Sequence, residues 1–334
     1  MANGSGVVCH HEWGTLKKAI VGISPIQDFV IPVWYDGLDF MPPRFMALSK
    51  EHGGQKLCTV DPSFAQALQD EVDHFAGLLT TYGVEVLRPT PLQPPESTYL
   101  TPHAEGAQIF PRDDILVIGE QVIELNLKIQ WRRREKFGLR HALATSGAAS
   151  WTAMPMASPP SSRGGEDENP ANRFLSGGDV LLNGYEVYAG NSGLASNRNG
   201  IAWLQNQLGS QYTVHEIPIH REALHLDVCM MLVGPKTGLI CRPWVHLDPL
   251  PPSLEAFDWI EVTEDEAALL GTNVCVLKEG TVMMSDQQWD VGERLKAKLE
   301  KNLDLLWIDY SNVIELGGGL RCCHHPLVRE SVLS

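Results

Sequence analysis

Four short apolar runs, each opening directly after a polar side chain, narrow most sharply what this chain can fold into. They read Asp114-Ile-Leu-Val-Ile-Gly, Asp179-Val-Leu-Leu-Asn-Gly, Asp227-Val-Cys-Met-Met-Leu-Val-Gly and Asn273-Val-Cys-Val-Leu-Lys-Glu-Gly. Each has strand length, and three of the four pass through a glycine turn into a second apolar run, which is hairpin chemistry. The leading polar residues recur at intervals of roughly 50 to 65 residues. One further interval ends at Cys322, after the approach Gly317-Gly318-Gly319.

Between the hairpins, helical periods lead into a third strand. Phe64, Leu68, Val72, Phe75 and Leu79 share one face of a helix expected over residues 63–82. It opens on the cap signal Asp61-Pro62-Ser63 and closes at Gly83, ahead of a strand at 84–87. In the same order, residues 197–208 lead into 212–219 and residues 291–303 into 305–308. The predicted unit is strand, strand, helix, strand. Units of this kind stacked around an axis turn their helices outward and bring the strand starts, where the polar residues sit, to the centre. No Pro/Gly/Ser linker separates self-sufficient halves, so a single domain over 1–334 is expected.

Charge and cysteine usage restrict the partners. With 26 Lys+Arg against 41 Asp+Glu the formal charge is −15, which repels nucleic acid and anionic lipid and favours cationic small molecules. No apolar run approaches the roughly 18 to 20 residues of a membrane span, and the start Met1-Ala2-Asn3-Gly4-Ser5 lacks a secretory pattern. A cytoplasmic protein is expected. The cysteines Cys9, Cys58, Cys229, Cys241, Cys275, Cys322 and Cys323 are odd in number and form no C-x-x-C pair, so neither a disulfide framework nor a ribbon-type zinc site is encoded. Residues 156–179, rich in Pro, Ser, Gly, Asp and Glu, read as a long mobile loop and a candidate lid. The basic cluster Gln130-Trp131-Arg132-Arg133-Arg134-Glu135-Lys136 reads as a solvated helix face paired with acids.

The chemistry gathers at the repeat starts. In Gly317-Gly318-Gly319-Leu320-Arg321-Cys322-Cys323-His324-His325 the glycines allow close approach to a pocket, and Arg321 is expected to lower the pKa of the neighbouring thiol. A zinc reading of the consecutive Cys and His residues fails because adjacent side chains diverge. A thiolate needs an acid/base partner and a substrate clamp. Strand alternation sends His225 and Asp227 of His225-Leu226-Asp227 to one face. A second copy, His246-Leu247-Asp248, runs into the turn Pro249-Leu250-Pro251-Pro252 and reads as structural. Asp113, Asp179 and Asp227 would set several carboxylates beside one cysteine and one histidine, which is costly unless a cation fills the space. The planar guanidinium, with its fork of N–H donors, suits paired carboxylates best.

Five motifs in order resemble the amidinotransferase family, within the guanidino-group-modifying superfamily that includes arginine deiminases. They are the run from His11-Glu12-Trp13-Gly14 to Val21-Gly22, Phe110-Pro111-Arg112-Asp113, Gly177-Gly178-Asp179, His225-Leu226-Asp227 and Gly317-Gly318-Gly319-Leu320-Arg321-Cys322, so the resemblance covers nearly the whole chain. It implies a five-bladed pseudosymmetric α/β propeller, the pentein fold, built from ββαβ units, and no cofactor or metal. It further implies Cys322 as nucleophile, His225 as general acid/base, Asp179 as the carboxylate orienting the histidine, and Asp113 with Asp227 as the guanidinium clamp. Arg242 is a further candidate, for holding the donor's α-carboxylate. The implied reaction moves an amidino group from a donor, L-arginine, through an amidino-cysteine to an acceptor amine, releasing ornithine. A deiminase giving citrulline and ammonia would use the same residues. The resemblance leaves the acceptor open and is compatible with a homodimer. Cys323 adjoins the implied nucleophile, and the Gly-Gly-Gly-x-x-Cys spacing favours Cys322.

Overall fold

A computed structural model describes residues 6–100, 106, 108–148, 150–156, 167–299 and 303–330. Its strands form five three-stranded sheets, and each repeat start read from the sequence heads one of them. The second sheet runs β3 (Ile115–Ile118), β4 (Gln121–Glu124), β5 (Ser150–Ala153), and the third β6 (Val180–Asn183), β7 (Glu186–Asn191), β8 (Thr213–Pro218). The fourth contains β9 (Met230–Gly234), β10 (Thr237–Ile240) and β11 (Asp258–Glu261); the fifth contains β12 (Cys275–Lys278), β13 (Thr281–Ser285) and β14 (Asp304–Ile308). In all four the middle strand pairs antiparallel with its hairpin partner and parallel with the strand that returns from the crossover.

The first sheet is assembled from both ends of the chain. Here β1 (Thr15–Val21) lies between β2 (Glu85–Leu87), parallel to it, and β15 (His324–Glu330), antiparallel from Thr15 opposite Glu330 to Val21 opposite His324. The last strand therefore occupies the inner position that β3, β6, β9 and β12 hold in the other sheets, and the ring closes. The architecture is a five-bladed pseudosymmetric α/β propeller of ββαβ units.

Three of the crossover helices form at the spans expected from the sequence, and two more, at 135–144 and 252–255, serve the other units. Helix α1 (Pro62–Thr81) starts with Asp61 accepting from the Phe64 amide at 3.0 Å, and its stripe Phe64, Leu68, Val72, Phe75 and Leu79 is buried. Helix α2 (Glu135–Ala144) serves the second unit. Helix α3 (Arg198–Leu208) is capped by Asn197, which accepts from the Gly200 amide at 2.8 Å. The short α4 (Pro252–Glu255) and α5 (Trp289–Leu299) complete the set. Three apolar clusters pack these helices on their sheets. Charged groups are buried at the strand starts instead, among them Glu12, Arg112, Asp113, Asp179, Asp227 and Arg321.

Two expectations need correction. The cluster at 130–136 is paired with acids but is not a solvated face: Trp131, Arg133, Arg134 and Glu135 are buried. Of the expected mobile loop, residues 157–166 lie outside the described residues. Much of the rest is anchored: buried Asp167 binds the buried guanidinium of Arg133 at 3.0 Å and accepts from Asn172 at 2.8 Å. The acids that satisfy the basic cluster come partly from this loop, far away in sequence, which the composition of either segment alone cannot express.

Candidate active site

Each inner strand is preceded by a turn that delivers one polar side chain to the propeller centre. Asp113 precedes β3, Asp179 ends the 3-10 turn Gly177–Asp179 before β6, and Asp227 lies in the 3-10 turn Leu226–Val228 before β9. Asn273 precedes β12 and Cys322 precedes β15. Five sequence-distant turns thereby meet.

Asp113, His225 and Cys322 line one cavity, whose walls are mostly apolar and include Phe40, Phe110 and Trp131. The Cys322 thiol lies 4.0 Å from Oδ2 of Asp227, and Nδ1 of His225 lies 3.8 Å from Oδ1 of Asp113. Asp179 sits behind His225. It accepts from the Leu226 amide at 2.9 Å and from the Ser196 hydroxyl, and so fixes the backbone that carries His225 rather than its ring. Close packing demands glycine here: a Cβ on Gly178 would lie 2.6 Å from the His225 ring and 3.0 Å from the Asp113 carboxylate. Leu224, which lines the cavity beside His225, has φ +54°, and the His225 amide bonds back to the Ala223 carbonyl. This tight, rarely populated turn aims the histidine.

Three residues carry weight that sequence reasoning did not give them. Asn273 holds Cys322 from three directions: its Nδ2 donates to the thiol sulfur at 3.2 Å, and its Oδ1 accepts from the backbone amides of Arg321 at 3.0 Å and Cys322 at 3.2 Å. Gly319 is required for that approach, since a Cβ there would be 2.7 Å from Asn273 Oδ1. A signal existed, because Asn273 heads the fourth repeat. Arg132 and Glu135 also line the cavity, and Arg132 binds Asp113 at 2.6 Å and Glu135 at 3.1 Å. Their signal was the basic cluster itself, read as solvated.

The electrostatics depart from expectation at Arg321. Its guanidinium is fully buried and turned to Asp227 at 2.8 Å and Glu12 at 3.1 Å, so it neutralises those carboxylates instead of lowering the thiol pKa. Burial, reinforced by Asp227 and Asp113, pushes the Cys322 thiol well above its ordinary value. Burial likewise raises Asp179, to about 7, against the pull of His225. Burial alone would also lift Asp113, but His225 and Arg132 hold it below the usual carboxylate range. Burial leaves Asp227 raised despite Arg321.

The remaining candidates fall elsewhere. Arg242 does not reach the cavity; it is partly exposed and faces Glu261 at 3.8 Å. His246 packs against the His220 ring, away from the cavity. His324 donates from Nδ1 to the Leu320 carbonyl, 2.7 Å away, and its Nε2 meets the Cys275 sulfur, 3.6 Å away. Among the described residues no group of three or more Cys, His, Asp or Glu side chains is placed to share a metal ion. Cys323 is buried against Tyr310.

A buried thiol, an imidazole and buried carboxylates meet at the axis of a five-bladed α/β propeller, the pentein fold. A family model described as "N,N dimethylarginine dimethylhydrolase, eukaryotic" matches residues 66–329, and the chain belongs to that family and, within the superfamily, groups with the amidinotransferases. It is 26% identical over 325 residues to the uncharacterized protein YkgA of Bacillus subtilis, covering 96% of this chain and 95% of that one. It is 25% identical over 358 residues to the L-arginine:L-lysine amidinotransferase of Pseudomonas savastanoi pv. phaseolicola, covering 98% and 96%. In structure it is similar to the amidinotransferase SxtG of Microseira wollei, from saxitoxin biosynthesis, with a TM-score of 0.79 at 23% identity over 98% of this chain and 99% of that one.

Proposed function

We propose that the protein moves the amidino group of a guanidino donor, L-arginine, to an acceptor amine through a covalent intermediate on Cys322. The observation that carries this reading is the meeting of the Cys322 thiol, His225 and Asp113 in one cavity, with Oδ1 of Asp113 and Oδ1 of Asp227 buried and lacking hydrogen-bond partners. Unmet buried acceptors are costly, and a guanidinium supplies N–H donors to the oxygens that Arg132 and Arg321, each bound to the other oxygen of its carboxylate, leave unmet.

In the first half-reaction the Cys322 sulfur attacks the guanidinium carbon while His225 protonates the departing δ-nitrogen. The C–N bond breaks, ornithine leaves, and an amidino-cysteine remains. In the second half His225 takes a proton from the acceptor amine, the amine attacks the same carbon, and the C–S bond breaks to restore the thiolate. Asp113 and Asp227 hold the guanidinium, and Asp179 positions His225. A cation bound between these carboxylates favours the thiolate, so the donor helps create its own nucleophile.

Because the matching family model is named for a hydrolase, hydrolysis is the second reading: ammonia instead of ornithine would leave in the first step, the rest of the arginine would stay on the Cys322 sulfur, and water would then release it as citrulline. Incubation with arginine, with and without hydroxylamine as a generic amine, separates the two. Transfer gives ornithine and hydroxyguanidine; citrulline and ammonia formed equally well without the amine reject it. Seven free cysteines fit a reducing compartment and support a cytoplasmic location, which cell fractionation tests. No helix of the described residues is long and apolar enough to cross a membrane. A homodimer is the assembly to test first, by light scattering.

A further inference from the structure

A second, much smaller cavity lies among the buried charges, and it shares no lining residue with the Cys322 cavity. It measures about 10 Å³, the room of one water-sized sphere. Arg112, Arg329, His325, His11 and Glu12 line it. His11 is half-buried, whereas Arg112, Arg329 and His325 are at most 5% exposed.

The charges around this cavity do not balance. Arg112, Arg321 and Arg329 interact with one another and with two carboxylates, Glu12 and Asp227. Both carboxylates are committed to Arg321, and Glu12 also accepts from the Leu182 amide at 3.2 Å. Arg112 and Arg329 have no carboxylate partner among the described residues. Arg112 gives Nε to the Arg321 carbonyl at 3.3 Å, and its Nη2 is buried without a partner. Arg329 gives Nη1 to the carbonyls of Gly14 at 2.7 Å and Val276 at 2.8 Å, and its Nε is buried without a partner. The His325 Nδ1 is likewise unpartnered. Three guanidinium groups against two carboxylates leave one positive charge uncompensated in a protein interior, where unpaired charge is among the most costly arrangements.

We propose that this cavity is a binding site for one small monovalent anion of the halide class, held by the free N–H groups of Arg112 and Arg329. A water molecule would satisfy the N–H groups but leave the surplus charge. A sulfate or phosphate exceeds the space. A halide ion, slightly larger than a water, meets both demands through charge-assisted hydrogen bonds once the lining side chains give by that difference, and it neutralises the cluster of which Arg321, the partner of Asp227, is a member.

The test uses the full chain. Thermal unfolding is followed at fixed ionic strength while chloride replaces gluconate, in the wild type and in Arg112→Gln, and crystals are grown in bromide. The site predicts a saturable rise in Tm of a few degrees with chloride, abolished in Arg112→Gln, and an anomalous bromide peak within hydrogen-bond distance of Arg112 and Arg329. Should Arg112→Gln fail to fold, the wild-type titration and bromide map decide by themselves. A water without anomalous signal in the cavity overturns the proposal. So does bromide bound there without any chloride-dependent Tm shift, which is an adventitious ion only.

Discussion

Burial and two carboxylates raise the Cys322 thiol well above its ordinary value, so in the proposed reaction the nucleophile forms when a cation enters beside Asp113 and Asp227. The acidic limb of kcat/KM, set by the free thiol, should therefore lie above the thiol's ordinary range, and the corresponding limb of kcat at lower pH, because bound guanidinium favours the thiolate. Rate profiles against pH at low and saturating arginine check this; superimposable limbs would refute it. Treatment with arginine should add the mass of one amidino group to the wild type and to Cys323→Ser, but not to Cys322→Ser, since Cys323 is turned to Tyr310. Asn273 acts through the sulfur it holds. Asn273→Ala should lower kcat roughly ten- to hundredfold with little change in KM, the pattern of an interaction used mainly in the transition state.

At the scale of elements, precision resides in turns rather than in the strands they precede. The 3-10 turn Gly177–Asp179 lets the His225 ring lie where a Cβ on Gly178 would be, 2.6 Å from Nδ1. Gly178→Ala should abolish most turnover while leaving the unfolding transition cooperative, because the clash falls on two side chains, His225 and Asp113, and not on backbone; circular dichroism beside a product assay distinguishes this from misfolding. Helix caps behave locally by contrast. Replacing Asn197, whose side chain accepts from Gly200 and Phe174 and donates to Asn172, with Ala should cost about 1 to 2 kcal/mol, read from the denaturant midpoint, with the reaction rate unchanged. The period and cap of α1 and the span of α3 were legible in the sequence because a helix face and a cap depend on neighbours within four residues. The 130–136 cluster was misread because the partners of Arg132 and Arg133, namely Asp113 and Asp167, come from other segments.

For the whole molecule, ring closure by β15 on β1 ties the strand that follows Cys322 to the opposite end of the chain. Leu327, fully buried in β15, should cost about 2 to 5 kcal/mol when replaced by Ala and lower the single unfolding transition, which calorimetry would show. Asp179 links stability to pH. Its folded pKa of about 7 lies above the ordinary aspartate range, so the folded state holds the extra proton. The associated stability is fully present below pH about 4 and is lost as pH rises through about 7, by at most about 1.4 kcal/mol per pH unit. Asp179→Asn should flatten that decline in denaturant midpoints measured across this range; an unchanged slope would refute the assignment.

The repeat, the polar strand starts and the helix limits were set by the sequence alone, because spacing and alternation are properties of the chain itself. So was the choice of Cys322, His225, Asp113, Asp179 and Asp227 as the residues to watch. Only the tertiary structure decided where each charge is directed: Arg321 towards Glu12 and Asp227, Arg132 onto Asp113, Asn273 around the thiol, and Arg242 outside the cavity. Sequence order fixes which turn a side chain leaves from. Its partner and its solvation, and hence its protonation, depend on neighbours that arrive from other blades.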